Sequence, residues 1–438
     1  MIDDRLKTVM DQVKPNTSLP LIIQVQGKVV PTMLQELAGS GLTGIRSSST
    51  FPYIYGKGTE SVINLVSKLA FVARVSYDEP VYSHGMLNVP FESEVRIPLG
   101  DAIKLTGAPD LWEQGLTGKG IKVGVIDTGV STEHEMIKPV LKGTFTAVPD
   151  STPEDEQSHG SWCCSAVAGQ IKETPQGILF GAAPGASLYS LKALSDDGKG
   201  QMSWVMDCIE QAVHTYQCDI LSLSLGSLYD NGGADPISHV INTIAKENNV
   251  IPVIAAGNSF VPMSIGSPGG ATMALTVGAV SVKTPQKYVA STFSSKGPTT
   301  VLTLKPDIAA PGGNIMPPKY VESILGAAKH GQYVAMSGTS MATPIVAGCM
   351  ALLRQAKNDL SRTEIEGLMA AATMPAPKNT FVGYGPIDVR MLFKNLGKTV
   401  PGISAVQNLA TSLQMGLYAP LALLPRQESN DIRAVRLN

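Results

Sequence analysis

Three residues of this 438-residue chain have types and settings suited to moving an acyl group: Asp127, His159 and Ser340. Ser340 lies in Met-Ser-Gly-Thr-Ser-Met-Ala-Thr-Pro at 336–344, and an apolar stretch continues from Pro344 to Leu353. Such a turn lifts a hydroxyl onto the first turn of a buried helix, where backbone N–H groups face developing negative charge. A Gly-Thr-Ser sequence is equally an ordinary helix N-cap, so the reading depends on partners. His159 opens a small-residue segment, His-Gly-Ser-Trp-Cys-Cys-Ser-Ala-Val-Ala-Gly, and Asp127 ends the apolar strand that begins at Ile121. A nucleophilic serine needs a base to take its proton and an acid to fix the tautomer and orientation of that base. All three are present, in the order Asp, His, Ser. Taken singly each is ambiguous: a lone histidine is more often structural, and Asp-Thr-Gly at 127–129 also marks aspartic proteases. Those need a second copy in a mostly β chain, and this sequence has neither.

Together these segments resemble the subtilisin-like serine proteases, the subtilases, and the resemblance runs from 99 to 392. It implies an α/β, three-layer fold with a mostly parallel central sheet. The implied activity is that of a serine endopeptidase working through an acyl-enzyme. His159 would take the Ser340 proton, and Asp127 would stabilise the imidazolium. Asn258, in Ala-Ala-Gly-Asn after the apolar run 250–254, would donate to the oxyanion together with the Ser340 backbone N–H. Loss of such a side-chain donor costs about 2.7–4 kcal/mol, a magnitude that comes from subtilisin itself.

The resemblance also places substrate contacts. The segments 198–201 and 224–227 resemble two edges that clamp an extended peptide as an added strand, which singles out Gly198 and Gly200 on one side and Ser224, Leu225 and Gly226 on the other. Met202 would border the pocket for the fourth residue upstream of the scissile bond. Gly266 would floor the primary pocket, leaving room for a large apolar or aromatic side chain, and the following Ser267–Pro268 bond is expected to be cis. Segments 293–298, 305–312 and 383–387 match as structural turns. An α/β-hydrolase esterase would need Gly-x-Ser-x-Gly and the order Ser, Asp, His. A catalytically silent peptide-binding or scaffold protein on the same fold is the alternative; such a protein should have lost a catalytic residue, and all are kept.

Ahead of this core, strand signals at 19–30, 44–55 and 73–82 alternate with helix signals at 32–41 and 59–69. This β-α-β-α-β pattern describes a small α+β, ferredoxin-like module and resembles the inhibitory propeptide of subtilases. A propeptide of that kind would act as an intramolecular inhibitor, leaving its last strand in the substrate groove, with Tyr82–Ser83 the first choice of bond to be cut and any later bond through Glu94 the alternative. The chain then divides into an N-terminal extension (1–18), the propeptide-like domain (19–82), a cleavable linker (83–98), the catalytic domain (99–394) and a C-terminal extension (395–438) that matches nothing nameable.

Composition fits this reading. Hydrophobic residues make up 43% and charged residues 16%, which describes a packed interior rather than disorder. With a formal charge of −2 and no Lys/Arg cluster, nucleic acid is not an expected partner; peptide or protein substrate is. No apolar run reaches the ~18 residues of a membrane span. Where many subtilases bind calcium, this chain has His134-Glu135-Met136, and its segment 170–180 lacks Asn and Asp. A thioether is a poor ligand for a hard cation, so that calcium site is expected to be lost and no cofactor to be required. Trp162 replaces a second histidine common in the family. Five cysteines cannot all pair within one chain; free thiols are expected, with a Cys208–Cys218 bridge as the alternative. The sequence at Met1 has no apolar leader, which favours a cytoplasmic location; secretion from a precursor whose signal is missing here is the alternative.

Overall fold

The computed structural model describes residues 1–83, 93–228, 232–282, 289–316, 320–373 and 377–397. Most of the expected linker and C-terminal extension, with its apolar run at 415–424, lies outside the described residues.

The N-terminal unit runs α1 (Asp4–Gln12), β1 (Leu19–Val25), α2 (Pro31–Gly39), β2 (Thr43–Ser47), β3 (Tyr53–Gly58), α3 (Glu60–Val66) and β4 (Val72–Tyr77). Its four strands form a sheet in the order β2-β3-β1-β4, with β1 antiparallel to both neighbours. The strand expected over 44–55 is thus two strands, because Ser48 to Pro52 breaks the run and turns it into a hairpin. The segment 1–18, expected to be an extension, belongs to this unit. Asp3 caps α1 through the Leu6 N–H, and Leu6 and Val9 join the core of Leu21, Ile23, Leu37 and Val75. The long closing strand expected over 73–82 divides at Asp78 and Glu79, and its second part, β5 (Pro80–Ser83), leaves the sheet.

The chain reappears as β6 (Ser93–Pro98), which pairs in parallel with a strand far along the sequence, β19 below. Residues 93–98 are therefore part of the core rather than of a linker. Two short helices follow, α4 (Leu99–Lys104) and α5 (Ala108–Trp112), then β7 (Lys122–Asp127), β8 (Leu141–Thr146) and α6 (His159–Ala168). A hairpin of β9 (Lys172–Thr174) and β10 (Gly177–Leu179) occupies the segment where a calcium loop was considered. Next come β11 (Ser187–Lys192), β12 (Lys199–Gln201), α7 (Met202–Glu210), β13 (Ile220–Leu223), β14 (Leu225–Gly226), α8 (Pro236–Glu247), β15 (Ile251–Ala255), β16 (Leu275–Val280) and β17 (Ile308–Pro311). A second small sheet holds β18 (Asn314–Met316), β19 (Tyr320–Ala327) and β20 (Tyr333–Met336), and the last elements among the described residues are α9 (Thr339–Ala356), α10 (Arg362–Thr373) and α11 (Val389–Asn395).

Seven parallel strands make the central sheet, in the order β17-β16-β15-β13-β7-β11-β8. Helices cover both of its faces, which is why strands such as Ile251–Ala255 read as unbroken apolar runs rather than alternating ones. Val123 and Val125 of β7 point into one core with α6 and α9, whereas Ile126 joins the opposite core with α7 and α8. The sequence departs from β7 to one side through β11 and β8, then returns to the other side through β13. Such a reversal opens a crevice at the carboxyl ends of the strands, and Asp127 is the last residue of β7.

Candidate active site

The three sequence-nominated residues meet at that crevice. Asp127 ends β7, His159 is the first residue of α6, and Ser340 stands in the first turn of α9; all three are buried. His159 Nδ1 lies 2.7 Å from Asp127 Oδ1. His159 Nε2 and Asp127 Oδ2 are buried without a hydrogen-bond partner, which leaves the imidazole with one nitrogen committed and one unspent. The Ser340 hydroxyl donates to the Ser224 carbonyl at 3.1 Å, and the Ser224 hydroxyl donates back to the Ser340 carbonyl at 3.0 Å.

Burial alone would lower the histidine pKa, since it penalises the charged ring. The Asp127 charge and hydrogen bond, with a further contribution from Asp155, outweigh it and hold His159 above its ordinary value. The Cys163 thiol, one helical turn on, sits 3.9 Å from His159 Nδ1 and 3.7 Å from the Ser340 carbonyl. Burial first, and then the Asp127 charge, push that thiol well up, so it is a neutral packing group. All five cysteines are free and buried, and Cys208 and Cys218 are not bridged.

Asn258 follows β15, and its side-chain carbonyl accepts from both the backbone N–H and the hydroxyl of Thr339, each at 3.0 Å. Both bonds pin the carbonyl end of Asn258 one residue before Ser340. Trp162, in place of a histidine, is fully buried; its indole N–H donates to the Ile324 carbonyl at 3.0 Å, tying α6 to β19.

The substrate-edge candidates form a site with a strand already in it. β5 runs antiparallel between β12 and β14, with Lys199 opposite Tyr82, Gly200 opposite Val81, Gly226 opposite Tyr82 and Leu225 opposite Ser83. The Ser83 N–H donates to the Gly198 carbonyl at 2.9 Å. The glycines permit this approach: a Cβ on Gly200 would stand 2.3 Å from the Ala193 carbonyl oxygen, and one on Gly198 would stand 2.6 Å from Ser83 Oγ. Val81 is buried in the same cluster as Met202 and Leu225. Tyr82 is 37% exposed, so it fills no primary pocket. Gly266 packs against the Ser227 carbonyl, where a Cβ would come within 2.1 Å, and the Ser267–Pro268 bond that follows is cis.

A model of the subtilase family matches residues 118–385, a span that contains every residue of this site outside β5. The chain belongs to the subtilase family. It is 34% identical over 301 residues to the serine protease AprX of Bacillus subtilis (strain 168), covering 64% of this chain and 67% of that one. Subtilisin E of the same organism is 31% identical over 309 residues, covering 69% and 73%. An intracellular serine protease of Paenibacillus polymyxa is 32% identical over 293 residues, covering 64% and 81%. This subtilase is a serine endopeptidase with the three-layer α/β fold of its family. No helix among its described residues is long and apolar enough to cross a membrane.

Sequence reasoning missed how the N-terminal unit is seated on this subtilase. Ile22, Phe51, Tyr53, Tyr55 and Val81 share a core with Val205 and Met206 of α7 and with Val240 and Ile241 of α8. Asp78 caps α7, accepting from the Ser203 N–H at 2.9 Å and the Ser203 hydroxyl at 2.6 Å. Arg46 pairs with Asp207 and donates to the Ser203 hydroxyl at 2.7 Å. Burial pushes the carboxyls of Asp78 and Asp207 up to about 6, against the opposing pull of Ser203 on the first and Arg46 on the second.

Proposed function

We propose that this subtilase is made as a self-inhibited precursor, with residues 1–83 acting as an inhibitor that occupies the substrate groove until the chain cuts itself. The observation that carries the reading is β5, which uses both edge strands at once and so denies them to any other peptide. His159 accepts the proton of Ser340, Asp127 stabilises the imidazolium, and the amide of Asn258 with the Ser340 backbone N–H holds the oxyanion. Water then releases the acyl-enzyme. Before attack the Ser340 hydroxyl must leave the Ser224 carbonyl and turn to His159 Nε2, the nitrogen that has no partner. Catalytic hydrogen bonds in resting sites are often unformed until substrate arrives.

The register of β5 also selects a bond. Ser83, the last residue of β5, stands opposite Leu225, and the residue before Leu225 on that edge is Ser224, whose carbonyl receives the Ser340 hydroxyl. Self-cleavage is therefore expected at His84–Gly85 rather than at Tyr82–Ser83. Intact masses and N-terminal sequencing of the purified chain check this: a new N-terminus at Gly85 is expected, and Ser340→Ala should stay whole. A first cut elsewhere overturns the register argument, and normal processing of the alanine variant overturns autocatalysis.

Release of the N-terminal unit should depend on pH. Free carboxyls of Asp titrate near ~3.9, whereas those of docked Asp78 and Asp207 stand at about 6. The docked state thus binds protons more tightly, so docking is favoured below about 6 and weakens as pH rises through that value. Size-exclusion chromatography of the cleaved protein should find more of the N-terminal fragment with the core at pH 5 than at pH 8. Asp207→Asn should flatten the difference, and acid-driven release would contradict the assignment.

The chemistry so assigned is carried by side chains and backbone N–H groups of the chain itself. The substrate is proposed to be an extended peptide segment, bound by the edges that β5 now fills.

A further inference from the structure

One carboxylate next to the site has no part in the mechanism above and is built into it more tightly than any other. Asp155 is 2% exposed and accepts five hydrogen bonds. Its Oδ1 receives the Thr128 hydroxyl at 2.9 Å, the Gln157 N–H at 3.0 Å and the Ser158 N–H at 2.9 Å. Its Oδ2 receives the Ser161 N–H at 2.8 Å and the Ser161 hydroxyl at 2.7 Å. These donors are the immediate neighbours of the reacting pair: Thr128 follows Asp127, and Ser158 and Ser161 flank His159. The lattice closes on itself, because the Thr128 hydroxyl accepts from the Gly160 N–H at 2.9 Å and the Ser161 hydroxyl accepts from the Ser131 N–H at 2.9 Å.

The local backbone explains why such a clamp is required. Ser158 holds a left-handed conformation, φ 88°, which an L side chain adopts at a cost of order 1–3 kcal/mol and keeps only when its surroundings impose it. Gly160 presses on the turn after Asp127, where a Cβ would lie 2.1 Å from the Gly129 carbonyl oxygen. Two loops from different elements must therefore meet closely, and the Asp155 carboxylate, accepting five bonds, ties both together alongside the Gly160–Thr128 and Ser131–Ser161 hydrogen bonds. The other charges around the pair are accounted for. Lys192, fully buried, spends its ammonium on the Thr128 and Glu154 carbonyls at 2.6 and 3.1 Å and on Asp196 at 2.7 Å. The Cys163 thiol is neutral. Asp155 is thus, after Asp127, the second negative charge acting on the His159 ring.

We infer that Asp155 is a positioning residue of this protease: it fixes the Asp127 and His159 loops against each other and, through its charge, stabilises the imidazolium that forms during acyl transfer. The inference rests on the catalytic roles proposed above. Its charge and its geometry are separable. Asp155→Asn keeps the shape, removes the charge and sets an amide donor against the donors of Ser161. Thr128→Val keeps the charge and removes one arm of the clamp.

The test uses the full chain after self-cleavage, with active sites counted by a serine-directed phosphonyl fluoride and hydrolysis of a peptide anilide followed from pH 5 to 9. Asp155→Asn is expected to lower kcat per titrated site by about tenfold or more, the scale of impaired acid–base catalysis, with KM little changed. The acidic limb of kcat/KM should move to lower pH, since loss of a nearby negative charge lowers the histidine pKa. Thr128→Val should lower kcat without moving that limb. In full-length Ser340→Ala, which does not depend on turnover, the low-field proton resonance of the His159–Asp127 hydrogen bond should shift when Asp155→Asn is added. An unmoved limb and resonance in a folded Asp155→Asn protein overturn the inference. Should that variant fail to fold, wild-type kcat in Thr128→Val overturns it instead. A wild type that neither labels nor hydrolyses overturns the catalytic roles themselves, a result distinct from either.

Discussion

Ser340→Ala is expected to abolish peptide hydrolysis and all labelling by serine-directed phosphonates, leaving only the residual catalysis of a site without its nucleophile. In a triad of this kind removal of the serine costs about 10⁶ in kcat, a figure that comes from subtilisin itself. The reason is local. The hydroxyl is buried at the first turn of α9, at the site of a histidine with one uncommitted nitrogen. Mass spectrometry of the labelled wild type should locate the adduct on Ser340. An adduct on another residue, or measurable turnover by the alanine variant, would refute the assignment.

Asp127→Asn is expected to fold normally and yet to lose about 10⁴ in turnover, as the same change does in an unrelated triad. Asp127 Oδ1 receives the His159 Nδ1 proton. An amide there can turn its NH2 to the ring, which then carries its proton on Nε2, the nitrogen that must accept one. The pH profile supplies a second signature. The Asp127 charge and hydrogen bond raise the His159 pKa against burial, so the neutral base persists to lower pH once they are gone. The acidic limb of kcat/KM should accordingly move to lower pH while the plateau falls. A plateau within tenfold of wild type would exclude Asp127 from the proposed role.

Much of this was legible in the sequence because each residue of the proposed mechanism sits at the end of a segment whose pattern declares its own structure. Asp127 ends an apolar strand, Asn258 follows another, and His159 and Ser340 each begin a small-residue helix. The two edge segments at Gly198 and Ser224 were legible for the same reason. Asp155 was not. It lies in Pro-Asp-Ser-Thr-Pro-Glu-Asp-Glu-Gln-Ser at 149–158, which reads as a solvated acidic loop, and only the folded chain brings five donors to one of its carboxylates. β6 was legible as alternation in Glu94-Val95-Arg96-Ile97 but was overshadowed by the glycine and prolines nearby, and its partner β19 is more than two hundred residues away. The expected bond Tyr82–Ser83 rests on side-chain size, with later bonds through Glu94 left open, whereas strand register, which sets Tyr82 opposite Gly226 and Ser83 opposite Leu225, favours a bond after β5.

The pairing of β6 with β19 has a kinetic consequence. A cut at His84–Gly85 leaves a new amine joined to the core by residues 85–92, eight residues that end at the fixed strand β6. A tether that short keeps its free end at an effective concentration on the order of millimolar, and its full reach is only about 28 Å at ~3.5 Å per residue. In the precursor proposed above the amine would therefore compete with water for the acyl-enzyme, and the first cut would be reversible for as long as β5 stays in the groove. Withdrawal of the N-terminal unit, rather than bond cleavage, then becomes the committed step.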